Sequence, residues 1–256
     1  MLPSVSLGPV TINTVGLALI ASVWLALEVL ERTALARQQR IDRLYNAAFF
    51  GLLVGLLAAR LAHIALFFNA YLSDPWAIIS ISPANFLPVA GLVAGITFGL
   101  FYLRSFGFLT LTALDCFAAP AMILLAGCAL ANMFSGAGYG LPTSLPWAID
   151  LFGQPRHPTQ IYELLAALGV FALLWFRPTL WPFPGGALTL ATLLYASARL
   201  LLEAFRADSW LLVGDIRGAQ VLALIALLAV LGFLAYRNPF ADSETTTATP
   251  TSPEGA

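Results

Sequence analysis

The segment RHPTQIYE, residues 156–163, is the densest group of polar side chains in the sequence. Five of them carry candidate chemistry: Arg156, His157, Gln160, Tyr162 and Glu163. Thr159 can cap a helix that begins here, which places the two basic residues beside the positive end of the helix dipole. Such an end binds anions, so the segment predicts an anion site. Two ordinary roles stay open, Glu163 as a normal first-turn carboxylate and Arg156 as an anchor to lipid phosphates.

A second polar group lies in YASARLLLEAFR, residues 195–206. Tyr195, Arg199, Glu203 and Arg206 are spaced by four, four and three residues, so they form one stripe on a helix face. Arg199 and Glu203 can pair, and two guanidinium groups that flank one carboxylate keep a net positive charge. Arginine matches the geometry of phosphate, and the stripe therefore suits an anionic headgroup. A helix-to-helix ion pair that only fixes packing is the alternative.

Two further ionisable residues, Arg60 and His63, lie three positions apart on one face of an apolar run. An ionisable residue inside a membrane is costly and is a functional candidate by default, so both are candidates for substrate binding. Arg60 has the equally good alternative of bonding to backbone carbonyls or to Asp115. His63 alone is more typical of a polar core residue than of a base.

The two cysteines, Cys116 and Cys128, are not spaced like the ligands of a metal site. We expect neither a metal nor a cofactor. LAGC, residues 125–128, has the sequence of a bacterial lipobox. A lipobox works only at the end of an N-terminal signal peptide, so this match inside an apolar run is attributed to chance. A buried membrane thiol behaves as a small hydrophobe.

Apolar runs long enough to cross a bilayer must position these residues. The chain is 60% apolar and only 10% charged, which is typical of an integral membrane protein. About 20 apolar residues span a bilayer as a helix. Seven runs qualify: 10–30, 45–67, 82–103, 109–131, 159–176, 185–205 and 219–236. The sequence thus predicts an all-α, polytopic membrane protein.

The basic residues predict its orientation. All 12 are arginines, and seven of them lie in alternate connections or at the end of the last helix: Arg32, Arg37, Arg40, Arg43, Arg104, Arg177 and Arg237. The positive-inside rule makes that side cytoplasmic, with the N-terminus outside. The first helix is read as a retained anchor. We expect one membrane domain over residues 1–237 and a disordered cytoplasmic tail over 238–256, while a net charge of −1 gives no sign of nucleic-acid binding.

The connection between helices four and five, residues 132–158, is called the outer loop below. Its glycines and prolines forbid a continuous helix, and its aromatic residues suit a membrane interface. We expect a folded segment at or dipping into the outer leaflet, where irregular backbone must line a polar cavity or be covered by protein.

The order of RHPTQIYE, of NMFSGAGYGLPTSLPW before it and of YASARLLLEAFR after it resembles the bacterial prolipoprotein diacylglyceryl transferases over most of residues 7–237. The resemblance implies an enzyme of the bacterial inner membrane that moves the diacylglyceryl group of phosphatidylglycerol onto a prolipoprotein's lipobox cysteine. It implies catalytic roles for Tyr195, Arg199, Glu203 and His157. In an active transferase we expect His157 or His63 to assist the thiol. The resemblance also implies substrate contacts from Asn132, Gly140, Arg156, Gln160, Tyr162 and Glu163. The stripe on the sixth helix adds Arg206, which we expect to hold the phosphate together with Arg199 and Arg156.

This sequence departs from the family pattern at five usually polar positions: Val15, Val89, Ala129, Ser135 and Ala137. Two alternatives therefore stay open beside the transferase. One is a divergent member that binds anionic phospholipid without the usual transfer. The other is a small transporter or structural membrane protein, against which the sequence shows no internal repeat.

Overall fold

Seven membrane-spanning helical segments build the protein in the computed structural model, which describes residues 4–7, 10–79, 85–212 and 214–237. The helices are α1 (Thr14–Ala36), α2 (Ile41–Leu66), α3 (Phe68–Ser73), α4 (Pro88–Ser105), α5 (Leu111–Asp115), α6 (Ala118–Ser135), α7 (Thr159–Phe176), α8 (Gly186–Leu202) and α9 (Gly218–Arg237). Two antiparallel hairpins add β1 (Ser4–Leu7) with β2 (Val10–Asn13), and β3 (Ile149–Leu151) with β4 (Gln154–Arg156). The prediction of an all-α polytopic membrane protein is confirmed.

The observed spans match the predicted apolar runs to within a few residues at most ends. Helices α5 and α6 form one span, Leu111–Ser135, and the short α3 is followed by a 3₁₀ turn, Pro75–Ile79. The start of the third predicted run and the predicted tail, 238–256, lie outside the described residues. Gly136, in the left-handed conformation at φ 79°, ends α6 and accounts for the C-terminal end of that span.

Asp115, the last residue of α5, links the break between α5 and α6 to the start of α8. Its two carboxylate oxygens accept hydrogen bonds from the backbone N–H of Gly185, at 2.8 Å, and of Leu188, at 2.9 Å. It therefore satisfies two donors at the start of α8 that no intrahelical partner can reach. The alternative in which Asp115 pairs with Arg60 is wrong, because the carboxylate is engaged at this helix end.

The main core joins α1, α6, α7 and α8. Its buried members are mostly small or aliphatic: Ala26, Val29, Ala118, Ala119, Met122, Ile123, Val170, Leu174, Leu190 and Ala191. Small residues let helix backbones approach closely, which is the main source of packing energy between helices in lipid. This bundle fixes the ends of α6, α7 and α8 relative to one another.

Helices α2 and α4 pack against each other through glycines. A Cβ added to Gly55 would lie 2.8 Å from the carbonyl oxygen of Gly91, so no larger residue fits without moving a helix. This pair meets α1 in a second core that contains Leu30, Leu44 and Leu103. In the first turn of α4, at the end opposite Leu103, the side chain of Val89 is 63% exposed.

The outer loop is held by backbone hydrogen bonds. Leu141 N–H donates to the carbonyl of Phe205, at 2.8 Å, and Ala207 N–H donates to that of Tyr139, at 3.0 Å. Within the loop, His157 N–H donates to the carbonyl of Leu141, at 3.0 Å. The irregular backbone is thus paired with the segment that follows α8, whereas its depth in the outer leaflet stays a prediction.

Candidate functional site

Five charged side chains meet where α7 begins and α8 ends, and they are called the arginine–carboxylate network: Glu163, Arg199, Glu203, Arg206 and Asp208. Arg199 donates to Glu163 and forms an ion pair with Glu203, whose Oε2 lies 2.8 Å from Arg199 Nη2. Arg206 donates to the same Glu163 oxygen at 2.7 Å and to Asp208 at 2.9 Å. The predicted pair of Arg199 with Glu203 is confirmed, and the two arginines share one carboxylate on another helix.

The network has two guanidinium groups and three carboxylates, which gives a formal charge of −1. The expectation of a net positive stripe is wrong here, because Glu163 arrives from α7 and Asp208 from the segment after α8. Helix spacing reveals only residues on the same helix and cannot show either partner. Burial opposes the charge of Arg206, but attraction to Glu163 and the other two carboxylates outweighs it and raises the pKa, so this cation persists.

The first turn of α7 holds the outer loop. Thr159 donates its hydroxyl to the carbonyl of Gly138, and Gln160 donates its amide to the carbonyl of Ala137 at 2.9 Å. The prediction that Thr159 caps α7 is wrong, since its hydroxyl serves the loop and no side chain caps this end. Glu163 does not cap the helix either, because its carboxylate faces Arg199 and Arg206.

Arg156 binds the outer loop from inside. Its guanidinium donates to the carbonyls of Gly140, at 3.2 Å, and Leu151, at 3.3 Å, and lies 5.2 Å from the ring centre of Tyr139. Gly140 in turn forms a β-bridge with Arg206, so Arg156 and Arg206 both contact this residue. The structure therefore brings Arg156 next to the network, although part of its guanidinium is engaged by the loop.

His157 and Tyr162 form a small aromatic group beside this loop. The Nδ1 atom of His157 lies 3.5 Å from the hydroxyl of Tyr162, which accepts a hydrogen bond from the indole of Trp147 at 2.8 Å. The ring centre of His157 lies 5.1 Å from that of Phe205, the residue before Arg206. The half-buried imidazole therefore lies beside the outer loop and next to the residue that precedes Arg206.

Two loop glycines and Asn132 complete the surroundings of Arg206. A Cβ on Gly140 would collide with the carbonyl of His157, so only glycine fits. At Gly138, where φ is +70°, a Cβ would lie 3.3 Å from Arg206 Nη2 and 3.5 Å from Asn132 Nδ2. Asn132 therefore borders the same point as Arg206, and its role at the site stays a prediction.

Tyr195 lies one turn before Arg199 on α8 and is partly buried against the main core. Cys116 is buried, as expected of a small hydrophobe, whereas Cys128 is exposed.

Arg60 and His63 lie apart from these contacts, at the end of α2. Arg60 donates to the carbonyls of Ala77, Ile78 and Asn85 at 2.7–2.9 Å, which agrees with its structural alternative. His63 Nδ1 lies 3.1 Å from the hydroxyl of Tyr71. Both are engaged with the connection from α2 to α4, and their role in substrate binding stays a prediction.

The sequence patterns missed two residues, Asp208 and Arg217. Arg217, just before α9, donates to the backbone carbonyl of Glu203 and so ties α9 to the end of α8. Asp208 accepts from Arg206 and from the backbone N–H of Gly138. Both lie in irregular segments, where no periodicity marks a side chain as inward-facing. The only signal was an acid two positions after a candidate arginine.

Comparison with known proteins gives a consistent result. A family model described as prolipoprotein diacylglyceryl transferase matches residues 3–236. Proteins named phosphatidylglycerol–prolipoprotein diacylglyceryl transferase are similar along most of the chain. That of Chloroflexus aggregans is 26% identical over 93% of this chain and 89% of its own length. That of Gloeobacter violaceus is 33% identical over 69% and 71%, and that of Clostridioides difficile is 29% identical over 76% and 77%.

Proposed function

Since this chain belongs to the prolipoprotein diacylglyceryl transferase family, we propose that it moves the diacylglyceryl group of phosphatidylglycerol onto the lipobox cysteine of a prolipoprotein. A carbon–sulfur bond forms between the thiol and the glycerol carbon that carried the phosphate, and the carbon–oxygen bond to the phosphate breaks. The thiol gives up its proton, and glycerol phosphate leaves with the electron pair. The reaction needs cations at the phosphate and a proton acceptor near the thiol.

The arginine–carboxylate network is the observation that supports this proposal most strongly. It holds Arg199 and Arg206 against one carboxylate of α7, beside the outer loop, so both guanidinium groups have a fixed direction. Preorganised donors at a developing negative charge act strongly because no reorganisation is needed during the reaction, and one such donor is worth about a hundredfold to a thousandfold in rate. We assign the leaving phosphate to these two arginines.

His157 is our candidate for the proton acceptor. Its ring lies against Phe205, which precedes Arg206, and an imidazole accepts protons near neutral pH. Glu163 and Glu203 orient the arginines, and Tyr195 lies one turn deeper on α8 to line the lipid side of the site. Asn132, Gly140, Gln160, Tyr162 and Arg156 shape and hold the loop that covers the headgroup.

Two of the departures from the family pattern, Ala129 and Ala137, reduce the number of polar side chains that could bind the phosphate. Ala129 is buried in α6 and offers no cation, and Ala137 offers only backbone, whose carbonyl Gln160 already binds. Val89, on α4, faces away from protein contacts. In our proposal Arg199 and Arg206 therefore take the whole phosphate-binding role, and losing either has a large effect.

We place this site at the outer leaflet, with the N-terminus outside and the C-terminus cytoplasmic. The network lies at the start of α7 and the end of α8, whereas the arginine-rich connection between α1 and α2 belongs to the opposite end of the bundle. Clusters of arginine near helix ends favour the cytoplasmic side. Multi-pass insertion in the bacterial inner membrane, with prolipoprotein and phosphatidylglycerol as partners, follows from the family.

A transfer assay tests the proposal. Purified protein in detergent is mixed with phosphatidylglycerol and a lipobox peptide, and mass spectrometry looks for the peptide with a thioether-linked diacylglyceryl group. Arg199→Ala should lower the rate at least about a hundredfold, because a donor at the leaving group is lost. Arg177→Ala, which removes an exposed arginine at the far end of α7, is the matched control and should change the rate little.

The wild-type result decides between the readings. No lipidated peptide from the wild type, beside an active member of the family under the same conditions, would refute transferase activity. Binding of phosphatidylglycerol without transfer would then identify a lipid-binding protein, and the absence of both would leave a transport or structural role.

A further inference from the structure

Asp208 occupies an anion-binding face that Arg206 and Gly138 form together. Its Oδ1 accepts from Arg206 Nε, at 3.2 Å, and from Nη2, at 2.9 Å, and its Oδ2 accepts from the backbone N–H of Gly138. A planar guanidinium fork and a nearby backbone N–H are also the donors that bind phosphate oxygens. The carboxylate of Asp208 thus takes up donors that an incoming phosphate would use.

The remaining contacts of the two arginines point elsewhere. Arg206 Nη1 donates to Glu163, and Arg199 uses its two terminal nitrogens for Glu163 and Glu203. Glu203 also lies 3.9 Å from Arg206 Nε, too far for a normal hydrogen bond. The fork made by Nε and Nη2 is therefore the side of Arg206 that binds Asp208.

Asp208 is the carboxylate of the network that can leave most easily. Its side chain is 23% exposed, against 9% for Glu163 and 1% for Glu203. It lies on irregular backbone beyond the 3₁₀ turn Glu203–Phe205, whereas the other two carboxylates are held on α7 and at the end of α8.

The outer loop does not depend on Asp208 for its position. Ala207 N–H donates to the carbonyl of Tyr139, and Leu141 N–H to that of Phe205, and neither bond involves the carboxylate of Asp208. Glu163 keeps hold of Arg206 through Nη1. Departure of Asp208 would therefore free the guanidinium fork and the Gly138 N–H without releasing the elements that carry them.

The formal charge of the network depends on whether Asp208 is bound. With Asp208 in place its formal charge is −1, which repels another anion, and without Asp208 two cations face two carboxylates. We propose that Asp208 is a displaceable counter-ion, and that a phosphate monoester or diester replaces its carboxylate on Arg206 and Gly138. This inference rests on the proposed function, since the phosphate belongs to the lipid substrate or to the released glycerol phosphate.

The counter-ion role and a purely positioning role predict opposite results. If Asp208 only orients Arg206, its removal disorders the site and weakens phosphate binding. If it competes with phosphate, its removal strengthens binding. Asp208→Asn is the sharpest variant, because the amide oxygen still accepts from Gly138 while the negative charge is gone.

Binding measurements on the full-length protein in detergent provide the test, with phosphatidylglycerol and soluble glycerol phosphate as separate ligands. Removing one charge at hydrogen-bond distance should tighten binding about tenfold for Asp208→Asn. Asp208→Glu keeps the charge and should bind like the wild type. Asp150→Asn removes an exposed carboxylate of the outer loop and should also bind like the wild type.

Each result decides the question. Tighter binding of either ligand by Asp208→Asn supports the counter-ion role, and the ligand that responds identifies whether the fork reads the lipid or the free product. Equal or weaker binding by the folded variant refutes that role and leaves transfer by the wild type unaffected. If Asp208→Asn does not fold, Asp208→Ser is measured in its place. If neither the wild type nor the variants bind either ligand, the proposed function and this inference both fail.

Discussion

Replacing Glu163 by glutamine tests the part of the network that the sequence concealed. The glutamate accepts from both Arg199 and Arg206 and is 9% exposed, so Glu163→Gln leaves two guanidinium groups without their common anion. Removing one partner of a buried ion pair costs about 3–5 kcal/mol when the remaining charge has no other partner. Here each arginine keeps a second carboxylate, Glu203 or Asp208, so we expect the smaller cost of an unsatisfied polar group, about 1–3 kcal/mol.

Thermal unfolding in detergent measures this effect. For a chain of this size each kcal/mol shifts the unfolding midpoint by about 2–4 °C, so the midpoint of Glu163→Gln should fall by several degrees. Glu31→Gln, which changes an exposed glutamate of α1, is the matched control and should leave the midpoint unchanged. A double-mutant cycle with Arg206→Gln should give non-additive losses, because the two residues are in contact. An unchanged midpoint for Glu163→Gln would refute the claim that this carboxylate holds both arginines.

Two further perturbations follow from close contacts elsewhere. Gly140→Ala should abolish transfer and lower the unfolding midpoint, because the new Cβ would collide with the carbonyl of His157. The control is Gly169→Ala on α7, whose Cβ meets no atom within 4 Å and which should be neutral or slightly stabilising. Equal transfer activity of both variants would contradict this prediction. Asp115→Ala should cost about 1–2 kcal/mol of stability in the same unfolding measurement, because the first N–H groups of α8 lose their acceptor. A wild-type midpoint for Asp115→Ala would show that these N–H groups find other partners.

The sequence was sufficient for the helices because each span is a continuous apolar run, and the stripe on α8 followed from spacing within one helix. It also marked Arg199 with Glu203 as a pair. The sequence could not show the partners that other elements contribute to this stripe. For Glu163 the sequence left a first-turn role open beside a substrate contact, and nothing in the spacing of α7 shows that it turns toward Arg206 on another segment.

Irregular segments account for the other differences. Thr159 has the residue type of a helix cap, but the outer loop lies close enough for its hydroxyl to bind Gly138 instead. Asp208 follows the last turn of α8 and has no periodic neighbour to indicate its direction. Tertiary contacts, rather than local preference, decide where both side chains bind, and these contacts are set by how α6, α7 and α8 pack.

The most direct test of the central claim uses phosphatidylglycerol that carries an isotopic label in the glycerol of its diacylglyceryl group. After incubation of the wild-type protein with this lipid and a lipobox peptide, the label should appear in a thioether-linked peptide, and the released glycerol phosphate should be unlabelled. Arg199→Ala should lose most of this product, and Arg177→Ala should keep it. Labelled peptide absent from the wild-type reaction, while an active relative forms it, would contradict the assignment of diacylglyceryl transfer to this site.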